Sequence, residues 1–362
     1  MKKTNVVLSL IPFSVVIVTN CWAFEPRENL PVLRQIRLSS TIAKIAGSID
    51  YYEYDYSLYN SNTNSGSVMS IVIDLTERAK RIQQFNSSVG FVDNRMAGFG
   101  KEHGYPPIVA VSDLKIPDRW FGFLGSVAVN WVVHGSQDDH PWLVVTGKSL
   151  QGLGFKSPAV PGITTFVVTP VLDLSKFYPD IHDVTGGLEE ENALMRQINQ
   201  DRDAIKFTGR TLGPVAPPVD LSELCDTFIL DLIGQVREAE VLGWIKHDLR
   251  KDRDDDDDHG KRTVDEKGKK KGRDKDDDED DDNGDDDDSD LDEKNRGLPG
   301  VAKSIIKKLT KVRQECLREK FGIAREKLRA LIKQVSAQRG KHLTDEAYYL
   351  IRFNAEFLLE KI

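Results

Sequence analysis

The sequence predicts a multidomain protein of all-β then all-α character: an antiparallel β-sandwich followed by a small helical bundle, with an acidic insert looped out of the bundle. Three observations carry this. Tyr52, Tyr54, Tyr56 and Leu58 alternate with Glu53, Asp55 and Ser57, the period of two of a half-buried strand. After Leu221 the apolar residues recur at three and four, the period of an amphipathic helix. Between two such helical stretches lies a tract dense in aspartate.

At the start of the chain, Lys2 and Lys3 precede an apolar run from Val6 to Val18, and Cys21-Trp22-Ala23 leads to a cut before Phe24. That is the layout of a cleaved signal peptide over residues 1–23. The run falls well short of the ~20 residues a spanning helix needs. No later stretch is long enough either, so the mature chain is expected to lack a transmembrane segment. A buried N-terminal helix is one alternative. Lipidation at Cys21 is another, opposed by Asn20, because a small residue belongs just before a lipidated cysteine. The expected location is secreted, periplasmic or extracellular.

A chain of 362 residues with 39% hydrophobic content has room for about two cored domains. Its net charge of −8 is local: residues 250–296 hold 23 acidic and 13 basic side chains, and the remainder stands at +2. No basic face interleaved with aromatics is legible, which argues against a nucleic-acid partner.

The β-sandwich module is expected over residues 24–213. The tyrosine strand enters a polar turn, Asn60 to Ser67, and Met69, Ile71, Ile73 and Leu75 form one face of the return strand. Further strands are expected at Ile108–Val111, Ser126–His134, Leu143–Val145, Ser149–Lys156 and Ile163–Val171. Gly147, Pro158, Pro161 and Gly162 punctuate them. Leu188 to Ile205 reads as a short helix or a loop. Thr208 to Asp220 reads as a connection, with a Pro-rich linker at 214–220 stiffened by Pro214, Pro217 and Pro218.

The helical bundle is expected over 221–362, interrupted at about 250–296 by the Asp-rich insert. One stripe is Leu221, Cys225, Phe228 and Leu232; a second is Ile305, Leu309, Val312 and Cys316. Leu328, Leu331, Ile332 and Val335 make a third, and Ala347, Leu350, Ile351, Asn354 and Leu358 a fourth. Gly322 and Gly340 mark breaks, and Thr344 should cap the last helix. The insert has almost nothing to bury and is expected to be disordered. Helices joined by an excursion that returns to the same place pack antiparallel. Cys225 and Cys316 then face one seam and should form a disulfide; the alternative is two buried thiols.

Ala337-Gln338-Arg339-Gly340-Lys341-His342-Leu343-Thr344, followed by Ala347, Asn354-Ala355 and Leu358, resembles the end of a FIMAH domain, a helical module of exported bacterial proteins. Leu242-Gly243-Trp244-Ile245 and Gly297-Leu298-Pro299-Gly300 fit the same likeness. It implies an accessory or interaction role. Tyr52 to Leu58 with its turn, and Gly147-Lys148-Ser149-Leu150-Gln151-Gly152 running to Ile163, resemble Ig-like modules of uncharacterised secreted bacterial proteins. The sandwich is accordingly expected to be Ig-like.

Candidate ligand sets are few. His134, Asp138, Asp139 and His140 could ligate a transition metal if their loop folds inward, although the spacing matches no closed zinc pattern. Asp281, Asn283, Asp285 and Asp287 suit weak, multivalent Ca²⁺ binding; a solvated charged spacer is the plainer reading. Neither a Gly-x-Ser-x-Gly nor a His-Glu-x-x-His motif occurs, and Ser149 with His182 and Asp183 makes a triad only on paper. The tyrosine row would stack sugars if exposed, but one face of such a row is usually core. The expected function is therefore a non-enzymatic exported interaction or structural protein, with no resident cofactor and an extracellular protein or polysaccharide as partner. The alternatives are a metal-dependent envelope hydrolase using the His134–His140 loop and a calcium-binding matrix protein acting through the Asp-rich insert.

Overall fold

The computed structural model describes residues 30–45, 51–75, 96–97, 109–110, 113–124, 128–133, 141–179, 187–246, 298 and 300–362. The leader expected at 1–23 and the disorder expected at 250–296 lie outside these residues.

The first half is built from antiparallel sheets. Strands β1 (Ile36–Ile45), β2 (Tyr51–Asn60) and β8 (Ser149–Ser157) form a three-stranded sheet in the order β1-β2-β8. Strands β3 (Val68–Asp74), β6 (Trp120–Leu124), β7 (Ala128–Val133), β9 (Val160–Pro170) and β10 (Phe207–Val215) form a five-stranded sheet in the order β10-β9-β3-β7-β6. β4 (Met96–Ala97) and β5 (Val109–Ala110) make a separate two-residue ladder.

The alternation read in β2 is the reason the sheets meet. Tyr52, Tyr54, Tyr56 and Leu58 are all buried, while their neighbours stay half-buried or exposed. They join Ile71, Ile73, Trp131, Ile163 and Leu212 of the larger sheet in one core. The Tyr56 and Trp131 rings lie 6.2 Å apart, and Phe155 stacks on Trp131 at 6.3 Å. Tyr56 Oη crosses to the larger sheet and donates to the Leu212 carbonyl at 2.8 Å. In β3 the inward face is Val68, Ile71 and Ile73, not the Met69 expected: the register shifts between Val68 and Ser70 and turns Met69 partly outward. Leu143–Val145 supplies only a bridge, Val144 to Val68. β1 and β6 have no counterpart in the sequence reading.

Helix α1 (Leu174–Phe177) is a single turn, and α2 (Leu188–Ala204) resolves the helix-or-loop alternative as a helix. Its Leu194 and Ile198 pack with Leu172, Tyr178 and Ile205 in a small separate cluster. The Pro-rich linker at 214–220 needs correction. Pro214 and Val215 continue β10, and Pro214 pairs with Pro161 of β9. β10 is an edge strand, so a proline there forfeits no ladder bond to a further strand.

Helix α3 begins at Asp220, whose carboxylate caps it by accepting from Ser222 N and Glu223 N at 2.7 and 3.2 Å. It runs through Leu221–Glu223, a π-helical turn at Leu224–Phe228 and Ile229–Val241. Cys225, Phe228 and Leu232 of the expected stripe are buried, with Leu224 beside them, while Leu221 in the first turn is 39% exposed. α4 (Gly300–Leu317), α5 (Phe321–Gln338) and α6 (Asp345–Lys361) follow. Between α4 and α5 the break falls at Glu319, with φ 58°, not at Gly322. Glu319 N donates to Cys316 O and Lys320 N to Glu315 O, the paired bonds that close a helix around a left-handed residue. Thr344 caps α6, accepting from Ala347 N at 3.4 Å. α6 buries residues on every side, from Ala347 to Leu358, because it lies between the sheets and the other helices. The core of the sheets and the core of α3–α6 are one continuous cluster.

Candidate functional site

The best-defined chemistry joins helix to sheet. Pro161 of β9, which pairs with Pro214 of β10, directs its carbonyl to helix α6. Asn354 of α6, 2% exposed, supplies the donor: its Nδ2 bonds the Pro161 carbonyl at 2.7 Å and Leu350 O at 2.6 Å. Two residues along β9, Ile163 N donates to Gln235 Oε1 of α3 at 2.9 Å. Gln235 Nε2 in turn donates to Asp231 Oδ2 at 2.7 Å, which fixes the amide orientation. Gly162 lies between these contacts; a Cβ there would stand 2.3 Å from Val215 Cγ2. Arg210 Nε of β10 donates to Glu238 Oε1 of α3 at 2.8 Å, and Tyr52 meets Phe353 at 5.4 Å between ring centroids. This joint was not read from the sequence.

The disulfide expected between Cys225 and Cys316 is present, with Cα atoms 5.4 Å apart and both residues buried. The π-helical turn delivers Cys225 to the α4 seam. Beside it Arg313 Nε donates to Asp226 Oδ1 at 2.9 Å. A second tie binds the segment after α3 to the α5–α6 connection: Lys246 N donates to His342 O at 2.8 Å and Thr344 N to Trp244 O at 2.9 Å. Arg339 completes the corner. Its guanidinium lies 4.3 Å from the Tyr348 ring centre, and its Nε donates to Asp345 Oδ1 at 2.8 Å.

The tyrosine row belongs to the core. Tyr54 Oη donates to Ala159 O at 2.9 Å, matching the Tyr56 bond to Leu212. Burial first, then the neighbouring Tyr56 and Tyr52, pushes the Tyr54 pKa well above its usual value. Burial, with Asp55 adding to it, does the same to Tyr56. Both phenols are fixed neutral donors with no face turned out for a sugar. On the outer side of the same strand, Lys115 Nζ sits 2.9 Å from Glu53 and 2.6 Å from Asp55. Partial burial pulls the Lys115 ammonium down, but bonds to Asp55 and Glu53 outweigh it and leave its pKa raised.

Most of the remaining candidate residues fall outside the described residues. His134, Asp138, Asp139 and His140 lie outside the described residues, as do Asp281, Asn283, Asp285 and Asp287. So do His182 and Asp183, while Ser149 opens β8 opposite Tyr59. Among the described residues no three His, Cys, Asp or Glu side chains are grouped to hold a metal ion. No helix among them is long and apolar enough to cross a membrane. No protein-family model matches the chain, and neither a curated protein nor a solved structure matches it.

Proposed function

We propose that the chain is an exported, non-catalytic interaction or structural protein, its two sheets an Ig-like sandwich and its helices a FIMAH-like bundle serving as a brace. The observation that carries this reading is the buried Cys225–Cys316 disulfide. A stable disulfide belongs to an oxidising compartment, which agrees with the leader-like first residues. Asn354 and Gln235 are each bonded to a backbone group of β9, and Arg210 to Glu238, which favours rigidity over turnover. A braced sheet protein of this kind presents flat outer faces to an extracellular protein or polysaccharide.

The test is expression of the full chain with its own leader, followed by mass analysis and alkylation of the recovered protein. The expected product begins near Phe24 and has no alkylatable thiol. Incubation with purified envelope polysaccharides should then give co-sedimentation without change in polymer length. Retention inside the cell with free Cys225 and Cys316 would refute export. Metal-dependent shortening of the polymer would replace this reading with a hydrolase.

A further inference from the structure

The average charge outside the Asp-rich tract hides a concentrated one. From Lys303 to Lys341 the chain carries 13 Lys and Arg against three acidic residues, Glu315, Glu319 and Glu326. Those three cluster near the α4–α5 turn, leaving the other half of the helix pair basic. Helical spacing sorts the cations to the outside. On α4, Ala302, Ile305, Leu309, Val312 and Cys316 are buried, and Lys303 and Lys307 stand exposed one turn apart. On α5, Ala324, Leu328, Leu331 and Val335 are buried, and Arg325, Arg329 and Lys333 form the exposed stripe. Gln334 Nε2 donates to Ser304 Oγ across the seam at 3.1 Å, so the two stripes belong to neighbouring antiparallel helices and make one face. No aromatic side chain lies within either stripe.

We infer that this basic α4–α5 face is the docking surface for the chain's own acidic stretch, residues 274–293. That stretch holds 15 Asp and Glu against a single basic residue, Lys275. It rejoins the described chain at Leu298, beside the first turn of α4, which is the basic half of the pair and not the acid-bearing turn at Glu319. Glu293 is five residues from Leu298, a reach of ~17 Å when extended, and Lys307 is only ~11 Å along α4 from Gly300. Tethering at that distance gives an effective concentration on the order of millimolar. Exposed charges are screened beyond ~8 Å at physiological salt, so docking means contact between carboxylates and the stripes. A polyanion from outside must displace the tethered one, and a divalent cation or added salt frees the face. This inference goes beyond the proposed function and does not depend on it.

Zero-length carbodiimide cross-linking of the full chain tests it, using a mixture of isotopically labelled and unlabelled protein. The expected links join Asp and Glu of residues 274–293 to Lys303, Lys307, Lys308 and Lys333, within one molecule. Their yield should fall about tenfold between ~0.05 M and ~0.5 M salt. Charge reversal in one variant, Lys307→Glu, Lys308→Glu and Lys333→Glu, should remove the remaining links while the melting temperature is kept; the salt series needs no variant. Links spread evenly over Lys44, Lys148 and Lys156, links between labelled and unlabelled copies, or yields indifferent to salt would each overturn the inference.

Discussion

Asn354→Leu tests whether helix and sheet are one cooperative unit. Asn354 Nδ2 donates to the carbonyl of buried Pro161. Leucine keeps the branching and heavy-atom count of asparagine but leaves that carbonyl buried without its donor, a cost of about 1–3 kcal/mol. The second bond, to Leu350 O, adds little, because that carbonyl is already within helix α6. Urea unfolding followed by tryptophan fluorescence and by helical circular dichroism is the assay. The sheets hold Trp120 and Trp131, and circular dichroism follows α3–α6. A stability loss of about 2 kcal/mol is expected, with both signals shifting together. Asn354→Asp adds a pH signature. Its neutral carboxyl can donate to Pro161 O, and its carboxylate cannot, so the folded-state pKa is raised above the unfolded value. The contribution is then fully present below the unfolded value of ~3.9 and lost as pH rises through the folded value. A loss under ~0.5 kcal/mol for Asn354→Leu, or separate transitions in the wild-type protein, would refute the joint.

Replacing Cys225 and Cys316 by alanine removes a crosslink between residues 91 apart, worth about 4–5 kcal/mol in the chain-entropy view; equilibrium unfolding of the oxidised and substituted proteins measures it. Glu319→Gly relieves a left-handed residue at φ 58° in an exposed turn and should raise stability by about 1 kcal/mol, read as an upward shift in melting temperature. Burial raises the folded-state pKa of Tyr54 and Tyr56, so their contribution is intact below the unfolded value of ~10 and lost as pH climbs above it. Tyr54→Phe with Tyr56→Phe should flatten that alkaline loss, followed by unfolding at a series of pH values.

The elements legible in the sequence were those whose burial is one-sided. β2 alternates cleanly because one face meets the other sheet and the outer face carries Glu53 and Asp55. β7 was found within a few residues for the same reason, and β8 and β9 by the Gly and Pro residues that punctuate them. β1 was missed because its Ser39-Ser40-Thr41 centre reads as a polar turn, yet Ser40 is buried and Ile42 faces Tyr54 across the ladder. β10 was missed because Gly209, Gly213 and Pro214 carry loop signals, and only the sheet edge makes them tolerable. In α3 the stripe members Cys225, Phe228 and Leu232 are buried as the period of 3.6 expects, and only Leu221, in the opening turn, stands exposed.

Sites divide along a different line. Cys225 and Cys316 were legible because a disulfide needs two residues of one type at matched depth in antiparallel helices. The helix–sheet joint was not, because its groups answer to backbone atoms 193 positions away, as Asn354 does to Pro161. A backbone carbonyl has no letter in the sequence. The signal that existed was negative: Asn354 is a polar residue within an otherwise apolar helix stripe, and a buried amide at such a place requires partners. The two prolines at this point of the sheet, Pro161 and Pro214, were each read as chain breakers. Their pairing at the sheet's edge instead keeps both within a ladder, and Asn354 answers the Pro161 carbonyl from α6.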